Sequence, residues 1–113
     1  VIVTLILTDQ SVAFWKQVFM RPRPCAVLTD IHILVPCSSS PSFPSGHATN
    51  NSAGAVLAAL CYRRWGWTLL IWAAIVSYSR VYCGVHYPLD VVGGMLLGGF
   101  IGWVVFALYQ RFI

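Results

Sequence analysis

The chain has 113 residues, 58% of them hydrophobic and 9% charged; soluble domains carry about 25% charged residues, so water-soluble classes are set aside. The length allows one domain, residues 1–113, and not two. Seven Lys and Arg stand against three acids, a net charge of +4 that suits anionic headgroups, a phosphorylated substrate or topology signals.

Residues 1–20 are mostly apolar but interrupted by Asp9, Gln10 and Lys16, which predicts a transmembrane helix with a polar face turned toward protein. The segment opens Val1-Ile2-Val3 without methionine or a signal-peptide pattern, so the chain reads as truncated at its N-terminus. Arg21-Pro22-Arg23-Pro24 ends it, because the two prolines are expected to forbid a regular helix. From residue 25 to 44 no period holds, and Pro36, Ser38-Ser39-Ser40 and Pro41 mark a long loop of the kind that usually has a task.

A second helix is expected from Ser45 or His47 to Tyr62, rich in the small residues that let membrane helices touch. A third covers residues 65–79 and closes at Arg80, with tryptophans at its start as at a membrane interface. After a loop over residues 81–87, a fourth runs from Pro88 to about Tyr109; its Gly94-x3-Gly98 and Gly98-x3-Gly102 spacings are read as packing. The fold class is therefore an all-α, polytopic transmembrane bundle with about four helices.

Connectivity places Lys16, Arg23, Ser45, Gly46, His47, Arg80, His86 and Asp90 on one membrane face, and Arg63, Arg64 and Arg111 on the other. If the latter three obey the positive-inside tendency, the polar cluster faces outward. Cys25 and Cys37 share that outward loop and could pair if the compartment oxidises thiols, which the sequence leaves open. The four cysteines include no C-x-x-C pair and nothing has zinc spacing, so no metal is expected. Nor is a nucleic-acid partner.

Three stretches on that face belong together: Lys16-x6-Arg23-Pro24, Pro44-Ser45-Gly46-His47, and Arg80-x5-His86-x3-Asp90. In this order, with helices between, they resemble the type 2 phosphatidic acid phosphatase family, whose fold also serves vanadium haloperoxidases. The resemblance implies an integral membrane lipid phosphatase of about six helices, so two upstream helices are expected beyond this fragment. It implies no cofactor. His86 would attack phosphorus to form a phosphohistidine, Asp90 would hold His86, and His47 would protonate the leaving oxygen. Lys16, Arg23, Ser45, Gly46 and Arg80 would bind the phosphate.

The residue chemistry agrees. Phosphoryl transfer asks a protein mainly for positioning and charge stabilisation, which three cations and the N–H groups at a helix start supply. Two imidazoles can divide the tasks of nucleophile and acid, giving a bell-shaped pH dependence.

Plainer readings compete residue by residue: Ser45 as a helix cap, Asp90 as an acid in a first helical turn, Lys16 as a snorkelling side chain, Arg23 as a topology residue. Arg21 reads either as a guide for anionic headgroups or as a solvated loop charge. His32 reads as a loop histidine, Cys83 as a packing residue, and Tyr78, Tyr82 and Tyr87 as packing or as the rim of the site.

The expected substrate is a phosphorylated lipid such as undecaprenyl diphosphate, a lipid A phosphate or phosphatidic acid. The expected location is a bacterial inner membrane, with the site facing the periplasm or exterior. A vanadium haloperoxidase-like enzyme and a non-catalytic binder of anionic lipid are the rival readings.

Overall fold

The structure, a computed structural model, describes residues 2–28, 34–37 and 39–112; His32 lies outside the described residues. The elements are α1 (Ile2–Phe19), the single turn α2 (Pro24–Val27), α3 (Gly46–Cys61), a 3-10 turn (Arg63–Trp65), α4 (Gly66–Tyr82) and α5 (Pro88–Phe112), with no strand among the described residues.

The four long helices fall where the sequence expects them, and three details differ. α4 continues past Ser79 through Arg80 to Tyr82, since nothing there breaks a helix; the stop comes at Gly84, whose φ of 79° only glycine adopts freely. α5 runs to Phe112. Pro24, expected to forbid a helix, instead starts α2, because at a first helical position the missing N–H has no partner to lose.

Large apolar side chains point outward: Ile6, Trp72, Ile75, Leu96, Phe100 and Trp103 are all exposed. The buried positions hold Ala48, Ala53, Ala55, Ala73, Thr4, Thr8, Ser52 and Ser77. This inverts a soluble core and suits helices bathed in hydrocarbon, where association depends on close backbone packing. Among the described residues α5 alone is long and apolar enough by itself to cross a membrane. α3 and α4, with 16 and 17 residues, fall short of the roughly 20 needed for an untilted span.

The tightest seam joins α3 to α5. A Cβ on Gly94 would stand 2.7 Å from the Ser45 carbonyl oxygen, one on Gly102 would stand 2.6 Å from that of Ala53, and one on Gly98 would collide with the Thr49 backbone. Ser45, Thr49 and Ala53 thus face Gly94, Gly98 and Gly102 in register, and the two helices run parallel with their N-termini at one end. The Ser45 N–H donates to the Asp90 carbonyl at 3.1 Å, tying those starts together.

α1 buries Thr4, Thr8 and Val12. The same four-residue step arrives next at Lys16, which is why the helix delivers that ammonium to the protein side. α4 buries Gly66, Ala73 and Ser77, a stripe that continues to Arg80.

Candidate active site

The start of α3, the ends of α1 and α4, and the loops before α3 and α5 enclose a polar cavity of about 460 Å³, lined by Lys16, Arg23, Val35, Pro36, Gly46, His47, Asn50, Asn51, Arg80, Val85 and His86. Six of the eight residues singled out in the sequence therefore share one wall: Lys16, Arg23, Gly46, His47, Arg80 and His86. Ser45 and Asp90 do not line it; both are completely buried behind it.

Ser45 differs from its expected use. Its hydroxyl caps α3, accepting from the Ala48 N–H at 3.3 Å, so the groups α3 offers to the cavity are Gly46 and His47 of its first turn.

Each imidazole has a guanidinium against it. Arg23 Nη1 lies 3.4 Å from His86 Nε2, and Arg80 Nη1 lies 3.3 Å from His47 Nε2. Arginine can only donate, so both contacts require a lone pair on the facing Nε2. In His86 the proton then sits on Nδ1, which is 3.6 Å from Asp90 Oδ2, longer than a hydrogen bond. This tautomer leaves Nε2 as the nitrogen available to an electrophile.

Lys16, Arg23 and Arg80 crowd three positive charges into this space, and Arg80 Nε finds no partner among the described residues. Burial, and then the neighbouring Arg80, push the Arg23 guanidinium below its usual range, while Asp90 pulls it back. Arginine remains charged through such a shift, so among the described residues the cavity wall carries positive charge with no acid beside it.

The sequence reading missed several participants. Ser40 organises two of the cations: Arg23 donates to its carbonyl through Nε at 3.0 Å and to its hydroxyl through Nη2 at 2.9 Å, and Lys16 Nζ reaches the same hydroxyl at 3.4 Å. Asn50 and Asn51 complete the wall from the second turn of α3. Arg21 is more than a loop charge: its Nη1 pairs with Asp90 Oδ1 at 3.2 Å, while about a third of its side chain stays exposed. Ser42, fully buried, donates its hydroxyl to Asp90 Oδ2. A run of serines in a loop carries no spacing by which such roles could be found.

Cys25 and Cys37 form a disulfide across this loop. Cys83 is a half-buried free thiol. Tyr78 and Tyr82 stack on each other on the exposed side of α4, and Tyr87 lies beneath the Arg21 guanidinium. Among the described residues no cluster of three His, Cys, Asp or Glu is arranged to hold a metal ion.

Known proteins share both sequence and fold with this chain. An undecaprenyl-diphosphatase of Sulfolobus acidocaldarius is 41% identical over 104 residues, covering 91% of this chain and 48% of its own length. A lipid A 4'-phosphatase of Bacteroides thetaiotaomicron is 43% identical over 72 residues, 61% of this chain and 32% of that protein. The chain thus spans about half, or less, of the length of these relatives.

The crystal structure of Aquifex aeolicus LpxE superposes with a TM-score of 0.81 at 33% identity, covering 91% of this chain and 62% of that one. That of a transmembrane PAP2 type phosphatidylglycerolphosphate phosphatase from Bacillus subtilis gives 0.77 at 26% identity, covering 99% and 58%. A family model described as the PAP2 superfamily matches residues 1–113, the whole of the sequence, and the chain belongs to that superfamily.

Proposed function

We propose that the protein is an integral membrane phosphatase that hydrolyses a phosphomonoester or diphosphate on a lipid through a phosphohistidine. The observation that carries this reading is the cavity itself: three cations with no counter-anion on its wall among the described residues, together with two imidazoles whose Nε2 lone pairs are each held by an arginine. A phosphate entering between Arg23 and Arg80 draws both guanidinium groups onto its oxygens and frees both nitrogens.

His86 Nε2 then attacks phosphorus in line, forming the N–P bond as the P–O bond to the leaving group breaks. His47, protonated once Arg80 has turned to the phosphate, gives its proton to the departing oxygen. Charge on the equatorial oxygens meets Lys16, Arg23, Arg80 and the N–H groups at the start of α3. Asp90 steadies the positive charge that develops on the His86 ring. In the second half, His47 takes a proton from water as the water oxygen attacks phosphorus; the bond between phosphorus and His86 Nε2 breaks and inorganic phosphate leaves.

A lipid substrate follows from the setting, a cationic cavity at one end of helices whose outer surfaces are apolar. The relatives named as an undecaprenyl-diphosphatase and a lipid A 4'-phosphatase support the same class. The Cys25–Cys37 disulfide supports an outward-facing site, because disulfides persist in oxidising compartments; Arg63, Arg64 and Arg111 at the far ends of the helices support cytoplasmic placement of the opposite side.

The test is phosphate release by the full-length protein in detergent from undecaprenyl diphosphate, a lipid A phosphate and phosphatidic acid, beside a His86→Gln variant. Release that vanishes in the variant is expected. Equal release by both proteins overturns the proposal.

A further inference from the structure

Asp90 is held far more firmly from behind than it is by His86. Its Oδ1 is paired with Arg21 Nη1 at 3.2 Å; its Oδ2 accepts from the Ser42 hydroxyl and from the Tyr87 N–H at 2.8 Å. His86 Nδ1, at 3.6 Å, is the most distant of the four. Arg21 is itself fixed, with its guanidinium 4.2 Å above the centre of the Tyr87 ring. Ser42 is clamped to Arg21, whose carbonyl accepts from the Ser42 N–H at 2.6 Å. Neither residue belongs to the three motifs, and neither lines the cavity.

We infer that Arg21 and Ser42 are positioning residues for the hydrolysis: together they orient the Asp90 carboxylate toward His86 and neutralise part of its charge, so that His86 is aligned without being locked as an imidazolium. The inference rests on the reading of His86 as the nucleophile. The physical need is a balance. A buried carboxylate with no other partner attracts a proton onto the adjacent imidazole, because opposite charges interact strongly in a low-dielectric setting. That proton would occupy Nε2, the attacking atom. A carboxylate shared with a cation and a hydroxyl still attracts the Nδ1–H facing it, yet favours the imidazolium less.

Among the described residues, the other charged groups around His86 are Arg23 on the loop, Arg80 on α4, His47 on α3 and Lys16 on α1, all on the cavity side. All are unchanged in the variants that test the idea, so a shift in pH dependence reports on the carboxylate's support. In full-length protein hydrolysing undecaprenyl diphosphate, Arg21→Gln is expected to lower kcat about tenfold, the scale of a lost charge-assisted bond, with KM within about twofold of wild type. The acid limb of its pH–rate profile is expected to move upward by about half a unit or more. Arg21→Lys, which keeps the charge, restores the limb. Ser42→Ala, which removes one donor and keeps the buried volume small, moves the limb the same way.

An acid limb that stays in place in both Arg21→Gln and Ser42→Ala overturns the inference, whatever happens to kcat, since a merely structural role loses activity without moving the limb. Should Arg21→Gln fail to fold, Ser42→Ala alone decides by the same criterion. His86→Gln measured in parallel separates the two levels: residual turnover there removes the nucleophile assignment itself, while an inactive His86→Gln beside wild-type-like Arg21→Gln and Ser42→Ala removes only the positioning role.

Discussion

Arg23 Nη1 and His86 Nε2 lie 3.4 Å apart, so the cation that would bind phosphate also rests on the lone pair that would attack it. On the proposed reading, an anion entering the cavity would draw Arg23 away from that nitrogen. An inert phosphate mimic should therefore stabilise the protein markedly. Orthovanadate at a hundred times its Kd is expected to add about 2.7 kcal/mol, read as a rise in the thermal midpoint. Arg80→Ala should lose most of that rise.

Activity should be bell-shaped in pH. Attack needs His86 neutral, so the rate climbs as pH rises through its ionisation; protonation of the leaving group needs His47 charged, so the rate falls as pH rises through that of His47. His47→Asn should remove the alkaline limb. It should also cost about a hundredfold or more on an alkyl phosphate and much less on p-nitrophenyl phosphate, whose leaving group needs no proton. Equal losses on the two substrates would argue against His47 as the acid.

Ser40 should matter for binding more than for chemistry. It accepts from both Arg23 and Lys16 and touches neither imidazole in the bonds described. Ser40→Ala removes the hydroxyl while the carbonyl still holds Arg23 Nε. KM is expected to rise by about three- to tenfold, the scale of a hydrogen bond to a charged group, with kcat nearly unchanged. Steady-state kinetics on the lipid substrate checks this.

Two glycines on facing helices should respond in opposite ways. Gly98→Ala drives a methyl into the Thr49 backbone, which cannot give way, and should destabilise the protein by about 1–3 kcal/mol. A Cβ at Gly54 meets nothing within 4 Å, so Gly54→Ala should be neutral or stabilise by up to about 1 kcal/mol through helix propensity. Thermal midpoints of the two variants in one detergent settle the comparison.

Much of this was legible in the sequence because it depends on order along the chain. Alternating helix directions bring Lys16, Arg23, His47, Arg80 and His86 to one end whatever the details of packing. Ser45 was ambiguous for a physical reason: the oxygen that suits a helix cap also suits an anion, and only the described burial and the bond from Ala48 decide for the cap. The end of α4 was misplaced because Arg80 resembles a terminus residue, whereas the backbone stops at Gly84. Arg21, Ser40 and Ser42 could not be read at all. Their partners stand far away in sequence, from Ser40 beside Arg23 to Arg21 beside Asp90, and an irregular loop offers no period to follow.

The seam of Gly94, Gly98 and Gly102 against Ser45, Thr49 and Ala53 sets the spacing of α3 and α5 largely by backbone contact, with only the Thr49 hydroxyl and the Ala48 methyl close to Gly94. The separation between His47 and Asp90 is therefore held mainly by backbone against backbone and leaves little room for gradual adjustment. If the protein acts on lipids as proposed, changes in the lipid it takes are expected on the outward surfaces of the helices and along the loop that carries Ser40, with the proposed reacting centre unchanged beneath.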